Sequence, residues 1–550
     1  MKRIVKYGIL LTACALTLSS CNCFKQMAKN QDQISIVTNP EVLTLVGGNV
    51  VTDVTVVFPE QYYNPKAIVR VTPMLVFEGG VLEGAPKYFQ GEKVRDNYTV
   101  ISKASGGAVT QSVAFPWDER AREATLQIKV EGQCKASVGF TLAGVVTVAE
   151  GVNTLQQEIA YADAMTVMPD DFKRITHETG SVDIMYQVNS SNVRAGELSK
   201  EQTKLFEDFI RENENRDRVT LGNIQARGYA SPEGPEGFND ALSRRRSESG
   251  RTAVERRLRE SNLNYDVAAY GEDWDGFKEL VEASNMRDKA MIIQVLNMYS
   301  SAAQRDVEIR NMSAVFEELK ENILPELRRT QMVAITDIQG KTDAELIAAV
   351  NDNISSLNLE ETLFAATLFA ADADKARIYR SAADRFGDAR AWNNLGIALA
   401  AQRDWAGAKS AFQRSASIAS SPATGNNLAL VALAEGDYTE AAKYLPTATP
   451  AAKAIAEIHN GNYAAASTGL EGYNKALADY LAGNPNAAKN ALMGDDSAQA
   501  DYLHGVITSA QGDVAAGANS IKRAMAKNPA YYTREKVLTD INLRTIASQL

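Results

Sequence analysis

Residues 228–249 read GYASPEGPEGFNDALSRRRSES. The pattern predicts a strand end, a loop punctuated by Gly and Pro, and a helix with Asn239 at its start. Three consecutive arginines, Arg244, Arg245 and Arg246, fall in the first turns of that helix. Unpaired backbone N–H groups and the helix dipole face such a loop, so the junction suits an anion. The same residues also suit plain helix capping with a solvated basic face. Farther on, Glu272 and Asp273 in GEDW offer adjacent carboxylates. Neighbours on a strand point to opposite faces, so the two do not flank one bond. No nucleophile–histidine pairing or Gly-rich phosphate loop accompanies them, and no catalytic residue is assigned. His177, His459 and His504 are scattered and form no metal-ligand cluster with Cys23 and Cys134. Neither a metal nor another cofactor is expected.

The elements that must position the junction belong to a chain of 550 residues with a formal net charge of −10. That acidity argues against a nucleic-acid partner, and the length predicts about three domains. The first residues, MKRIVKYGILLTACALTLSSCNCFK, carry Lys2, Arg3 and Lys6, an apolar stretch from Tyr7 to Leu18, and small residues before Cys21. This predicts a secretion signal over residues 1–20, too short to span a bilayer. The tetrapeptide Leu18-Ser19-Ser20-Cys21 resembles a bacterial lipobox, which implies acylation at Cys21. Several acyl chains anchor firmly where one is marginal. Residues 21–33 follow as a lipidated tether, polar and unpatterned from residue 24. Cys23 falls in that tether, so no structural disulfide is expected, although an oxidising compartment permits one.

Three segments differ in period. From 34 to 150, runs such as VLTLVGGNVVTDVTVVFP, AIVRVTPMLVF and ATLQIKVEG alternate around Gly and Pro clusters, which predicts a β-sandwich. Residues 151–180 read as a linker. From 181 to 338 strands and helices alternate: SVDIMYQV, SKEQTKLFEDFIREN, VTLGNIQARGYA, a helix from Asn239 to Arg259, YDVAAYGEDW, helical stretches over 276–326, then RRTQMVAIT. The order implies an α+β layer with helices packed on a sheet. From 339 to 550 the chain is helical and rich in Ala. Trp392-Asn393-Asn394-Leu395-Gly396 and Asp404-Trp405 recur 33 residues later as Asn426-Asn427-Leu428-Ala429 and Asp437-Tyr438. Weaker echoes begin at Gly461, Gly483 and Gly512. These helix pairs resemble tetratricopeptide repeats, with Trp392, Leu395, Trp405, Ala408 and Phe412 expected inside.

The middle domain is similar to the OmpA-like peptidoglycan-binding family. In that family a strand ends in a Gly-aromatic/His-x-Asp loop, and a helix with the pattern Asn-x-x-Leu-Ser-x-x-Arg-Ala follows. This chain has Gly228-Tyr229 and then Asn239-Asp240-Ala241-Leu242-Ser243-Arg244-Arg245-Arg246-Ser247. The family's arginine falls on Arg246, its asparagine on Asn239 and its aspartate on Ser231. The resemblance implies a pocket for diaminopimelate of the wall stem peptide, with the acid missing and Glu233 or Glu236 nearby. Ser247 and Gly250 also depart from the pattern, the glycine weakening the helix by about 0.5–1 kcal/mol. The whole arrangement resembles a lipoprotein family of the Bacteroidota.

The resemblance implies a non-enzymatic outer-membrane lipoprotein on the periplasmic face. It would link the membrane to peptidoglycan and scaffold a protein partner through its repeats. The alternative is an accessory subunit of an outer-membrane assembly or secretion complex, whose OmpA-like domain binds protein and not cell wall. A surface adhesin fits less well, because CNCFKQMAKNQ lacks an acidic run after the cysteine.

Overall fold

The computed structural model describes Met27, Asn30 and residues 33–134, 139–258 and 263–550. The signal segment and Cys21 lie outside the described residues. The chain divides into two compact units, one of residues Met1–Asp170 with Ile354–Leu550 and one of Asp171–Asn353.

Among the described residues the first unit begins with ten strands: β1 (Ser35–Val46), β2 (Asn49–Phe58), β3 (Ile68–Phe77), β4 (Gly80–Glu83), β5 (Lys87–Gly91), β6 (Thr99–Ile101), β7 (Gly107–Pro116), β8 (Thr125–Gln133), β9 (Thr141–Glu150) and β10 (Val152–Asn153). They form two sheets, β10-β1-β2-β7 and β6-β5-β3-β8-β9, with β4 beside β3. Alternation along each strand sends Val54, Val56 and Phe58 of β2 into one core with Val69, Val71 and Leu75 of β3 and Leu126 and Ile128 of β8. Two expectations are corrected here. Met27 is buried in this core, and its carbonyl accepts from the Tyr62 hydroxyl at 3.0 Å. The tether is therefore packed on the sandwich at that residue. Cys134 is disulfide-bonded, its partner lying outside the described residues. The contrary expectation treated residues 21–33 as free of the fold.

The second unit contains β11 (Ile175–Met185), α1 (Glu201–Glu214), β12 (Val219–Leu221), β13 (Ile224–Ala230), α2 (Glu236–Arg257), β14 (Tyr265–Glu272), four short helices α3 (Trp274–Ala283), α4 (Lys289–Met298), α5 (Ala302–Asn311) and α6 (Ser313–Asn322), then β15 (Arg329–Gln339) and α7 (Asp343–Asn353). The sheet order is β11-β15-β13-β14, with β12 pairing β15. Strands β13 and β14 are parallel, while β15 is antiparallel to β11 and β13. Ile184, Ile224, Ala226, Met332 and Ala334 of the sheet pack with Phe206 and Ile210 of α1 and Val254 of α2. Both helices therefore cover one face. Phe277, Val281, Ile292, Leu296, Leu319 and Leu327 give the short helices a core of their own. The repeat boundary expected at 339 moves to 354, because α7 is held to this unit. Asp343 pairs with Arg174 at 2.6 Å, and Glu345 pairs with Arg218.

Helix α2 lies close on the sheet because glycines admit it. A Cβ at Gly228 of β13 would stand 2.1 Å from the Ser243 carbonyl oxygen and 2.8 Å from the Ser247 nitrogen. A Cβ at Gly250 would stand 2.8 Å from Thr330 Cγ2 on β15. The small residues at 247 and 250 are thus contact points and not defects in the helix.

The chain then returns to the first unit with α8 (Leu359–Thr367), α9 (Asp372–Phe386), α10 (Ala389–Ala401), α11 (Trp405–Ile418), α12 (Pro422–Ala434), α13 (Tyr438–Tyr444), α14 (Pro450–His459), α15 (Tyr463–Thr468), α16 (Gly472–Leu481), α17 (Pro485–Ala491), α18 (Ala498–Ala510), α19 (Val514–Lys527) and α20 (Arg534–Thr539). From α10 to α19 they form pairs. At three of the tight turns an aspartate caps the second helix: Asp404, Asp437 and Asp513 accept from the N–H groups of Gly407, Glu440 and Ala516. Leu395, Ala408 and Phe412 are fully buried, while Trp392 and Trp405 are half-buried. Among the described residues no helix is long and apolar enough to cross a membrane.

Gly228→Val should cost about 1–3 kcal/mol through overpacking and lower the urea midpoint of the Asp171–Asn353 unit. Gly237→Ala is the comparison, since nothing lies within 4 Å of its Cβ position. Equal midpoints for both variants would contradict the close approach.

Candidate functional site

The structure brings Ser231, Asn239 and Arg246 together where β13 passes into α2. The helix begins at Glu236 with Pro235 before it, and not at Asn239. Proline presets φ at −62° there, and its carbonyl accepts the Asn239 N–H at 3.0 Å. Asn239 is buried in the first turn. Its amide donates to the carbonyls of Ser231 and Gly234, both at 3.3 Å, and to Glu272 Oε1 at 2.8 Å. It therefore staples the loop to β14.

Ser231, where the resemblance expects an acid, is tied to a carboxylate of the chain itself. Ser231 Oγ donates to Glu233 Oε1 at 2.9 Å. Arg328 grips the same carboxylate with Nε and Nη2 at 3.0 and 3.1 Å. Arg246 is 1% exposed. Its Nε, Nη1 and Nη2 donate to the carbonyls of Ser190, Tyr229 and Gln187 at 2.9, 3.0 and 3.2 Å, and its guanidinium lies 5.3 Å from the Tyr186 ring. Burial pulls its pKa down to about 10; Tyr186 and Glu233 oppose the shift, and Arg328 adds to it. The group stays charged at neutral pH. Glu272 accepts from Trp274 Nε1 at 3.0 Å, and Asp273 caps α3 and pairs with Arg329 at 2.7 Å. That acid pair is structural. Among the described residues no group of three or more His, Cys, Asp or Glu is placed to hold a metal ion.

A second site went unread in the sequence. Residues 151–170, expected to be part of a linker, run along the first helix of successive repeat pairs. Asn474 of α16 accepts the Ala160 N–H at 3.0 Å and donates to the Ala160 carbonyl at 2.9 Å. Asn427 of α12 makes the same double contact with Thr166, at 2.7 and 3.0 Å. Asn394 of α10 makes it with Met168, at 3.0 and 2.8 Å. Each amide supplies one acceptor and one donor, which is what an extended peptide unit lacks when no strand lies beside it.

Side chains lock the start of this strap. Leu155, Ile159 and Tyr161 are buried in the core of the repeats. Glu158 meets Lys536 Nζ at 2.7 Å and accepts from the hydroxyls of Tyr531 and Tyr532 at 3.1 and 3.0 Å. Burial lowers the Lys536 pKa, against the pull of Glu158. Arg403 donates to the Gln157 carbonyl at 3.1 Å and stacks on Tyr531 at 4.0 Å. It holds φ at +60°, where the matching turns at 436, 461, 483 and 512 carry glycine. A side chain there costs roughly 1–2 kcal/mol, offset by its grip on the strap. His459 lies between two tyrosines, with the Tyr161 hydroxyl 2.8 Å from Nε2 and that of Tyr438 3.2 Å from Nδ1. Burial lowers its pKa to about 4.

A signal for this site was present. Asn394, Asn427 and Asn474 each stand ten residues before a turn residue, Asp404, Asp437 and Asn484. An amide kept at one position of an otherwise apolar helix face demands a polar partner. Nothing in the sequence named residues 160, 166 and 168 as that partner.

No family model matches the chain, and no curated relative does. Solved structures similar to part of it include a thermophilic TPR protein of Thermus thermophilus, 15% identical with a TM-score of 0.20, covering 35% of this chain and 98% of that one. A tetratricopeptide repeat protein from Parabacteroides merdae is 14% identical with a TM-score of 0.22, covering 50% of this chain and 99% of that one. The helix pairs themselves, with their Asp-capped turns, make the C-terminal region tetratricopeptide-like.

His459 gives the first unit a defined pH response. Its pKa is about 4 when folded and 6.5 in the ordinary state. The unfolded chain binds the extra proton between those values, so this stability is present above 6.5 and lost as pH falls toward 4. The loss over the whole window is about 3 kcal/mol. Urea midpoints at several pH values should show the decline in the wild type and a shallower one in His459→Gln. Identical slopes would show that His459 does not titrate this way.

Proposed function

We propose that the chain is a non-enzymatic scaffold of the cell envelope, acylated at Cys21 and held on the periplasmic face of the outer membrane. Its Asp171–Asn353 unit is OmpA-like. The β11-β15-β13-β14 order with two helices on one face supports that reading, as does the position of Arg246 on α2. Of the two roles such a domain can take, the geometry favours contact with protein, as an accessory subunit of an assembly or secretion complex. One observation carries this choice: Arg246, Asn239, Ser231 and Glu233 are all engaged within the chain. Arg246 is given to three carbonyls, and Glu233 already occupies Arg328 and Ser231. Opening the site to a stem peptide would break a bidentate ion pair whose arginine side chain is only 10% exposed.

Peptidoglycan linkage is the second reading, supported by the charge of Arg246. Its hydrogen-bond acceptors are all carbonyls, so the guanidinium keeps a positive charge that a ligand carboxylate would complement.

Sedimentation with purified sacculi containing diaminopimelate separates the two. Wild type should stay in the supernatant, and Glu233→Gln should gain binding by freeing Arg328. If wild type sediments and Arg246→Ala, checked for folding, loses ten- to a hundred-fold, wall linkage is the function; that range matches one charged hydrogen bond of roughly 1.5–3 kcal/mol. Cys21→Ala should abolish acyl labelling and release the protein from the membrane fraction. Retention through high-salt and carbonate washes would refute the anchor.

A further inference from the structure

We infer that residues 166–170 are a releasable latch over a peptide-reading site on the α10–α13 repeats, and that this site takes an extended peptide through its backbone. The strap is held unequally along its length. Up to Met165 it is fastened by buried side chains, with Leu155, Ile159, Tyr161, Ala164 and Met165 all in the repeat core. After Met165 no residue through 170 is buried, and Val167 is 56% exposed. Hydrogen bonds hold Thr166 and Met168: the double contacts of Asn427 with Thr166 and of Asn394 with Met168, a bond from Asn393 Nδ2 to the Thr166 carbonyl at 3.0 Å and one from Asn426 Nδ2 to Thr166 Oγ1 at 3.2 Å. Opening this end withdraws no buried apolar side chain from the repeat core, whereas opening the start would. Opening therefore starts at the end that continues, at Asp171, into the other unit.

The site left behind is organised in advance. Asn393 donates to Asn394 Oδ1 at 3.1 Å, Asn427 donates to Asn393 Oδ1 at 3.0 Å, and Asn426 donates to Asn427 Oδ1 at 3.2 Å. These mutual bonds keep the remaining donors and acceptors aimed at the strap path. An emptied row of buried amides is poorly satisfied, so it favours another extended backbone. Because the contacts are to N–H and C=O, the site selects an extended conformation over a particular side-chain sequence.

The test uses the full chain. Thr166→Pro with Met168→Pro removes the two N–H donors that Asn427 and Asn394 accept, and leaves the helices untouched. The probe is a fluorescent peptide of residues 163–170, DAMTVMPD, followed by anisotropy. The double-proline protein should bind it at least tenfold more tightly than wild type. Adding Asn394→Ala and Asn427→Ala, or N-methylating the peptide at the two matching amides, should abolish that gain. Equal binding by wild type and the double-proline protein, or no binding by a folded double-proline protein, overturns the proposal. Hydrogen exchange on wild type decides the matter independently should the variant fail to fold. The Thr166 and Met168 amides should open at least tenfold more often than that of Ala160. If all three exchange together, the strap moves as one piece and there is no latch.

Discussion

A peptide backbone laid against α-helices has no neighbouring strand, and its N–H and C=O groups must find partners or carry a desolvation cost. In the first unit that demand is met by asparagine side chains placed at matching positions of α10, α12 and α16. The repeats and the strap then depend on one another. The strap contributes Leu155, Ile159 and Tyr161 to the repeat core, and its peptide groups satisfy amides that would otherwise be buried without partners. Stacked helix pairs bury their apolar faces against their neighbours. Here they also bury them against a segment that lies far earlier in the chain, so this unit is built from both ends of the sequence.

The same logic governs the junction of β13 and α2. A buried guanidinium needs acceptors for its donors, and Arg246 finds three carbonyls, two on the loop at 187–190 and one at the end of β13. Arg328 finds Glu233, and Ser231 completes that pair. The close approach of α2 at Gly228 and Gly250 brings these groups within reach. The arginine that resembles a ligand-binding residue is therefore also a structural centre, tying the loop at 187–190 and the end of β13 to the helix. Both candidate sites are filled by the chain itself, one by a carboxylate and one by a backbone.

Local period and turn chemistry made much of this fold legible in the sequence. Alternation around Gly47-Gly48 marked the sandwich hairpin, the strand and helix order marked the α+β unit, and the 33-residue recurrence of Asn-Asn-Leu marked the repeats. The gathering of Ser231, Asn239 and Arg246 was also legible, because a strand, a short loop and a helix bring such residues together without distant help. Three things were not. Pro235 and not Asn239 sets the helix start. Glu233 is claimed by Arg328, 95 residues away. Residues 151–170, polar and irregular in sequence, are an integral part of the repeats.

The difference has one physical cause. Propensity, alternation and capping act over a few residues, so the sequence by itself determined the elements, their types and the residues carried at each junction. Partner choice for buried polar groups acts between residues far apart in the chain, and many partners are chemically equivalent. An asparagine amide accepts any peptide group and a guanidinium any carbonyl or carboxylate. Only the packed structure decided that Asn394, Asn427 and Asn474 hold the strap and that Arg246 holds loops, because only packing brings one of the equivalent partners within hydrogen-bond reach and excludes water from the rest.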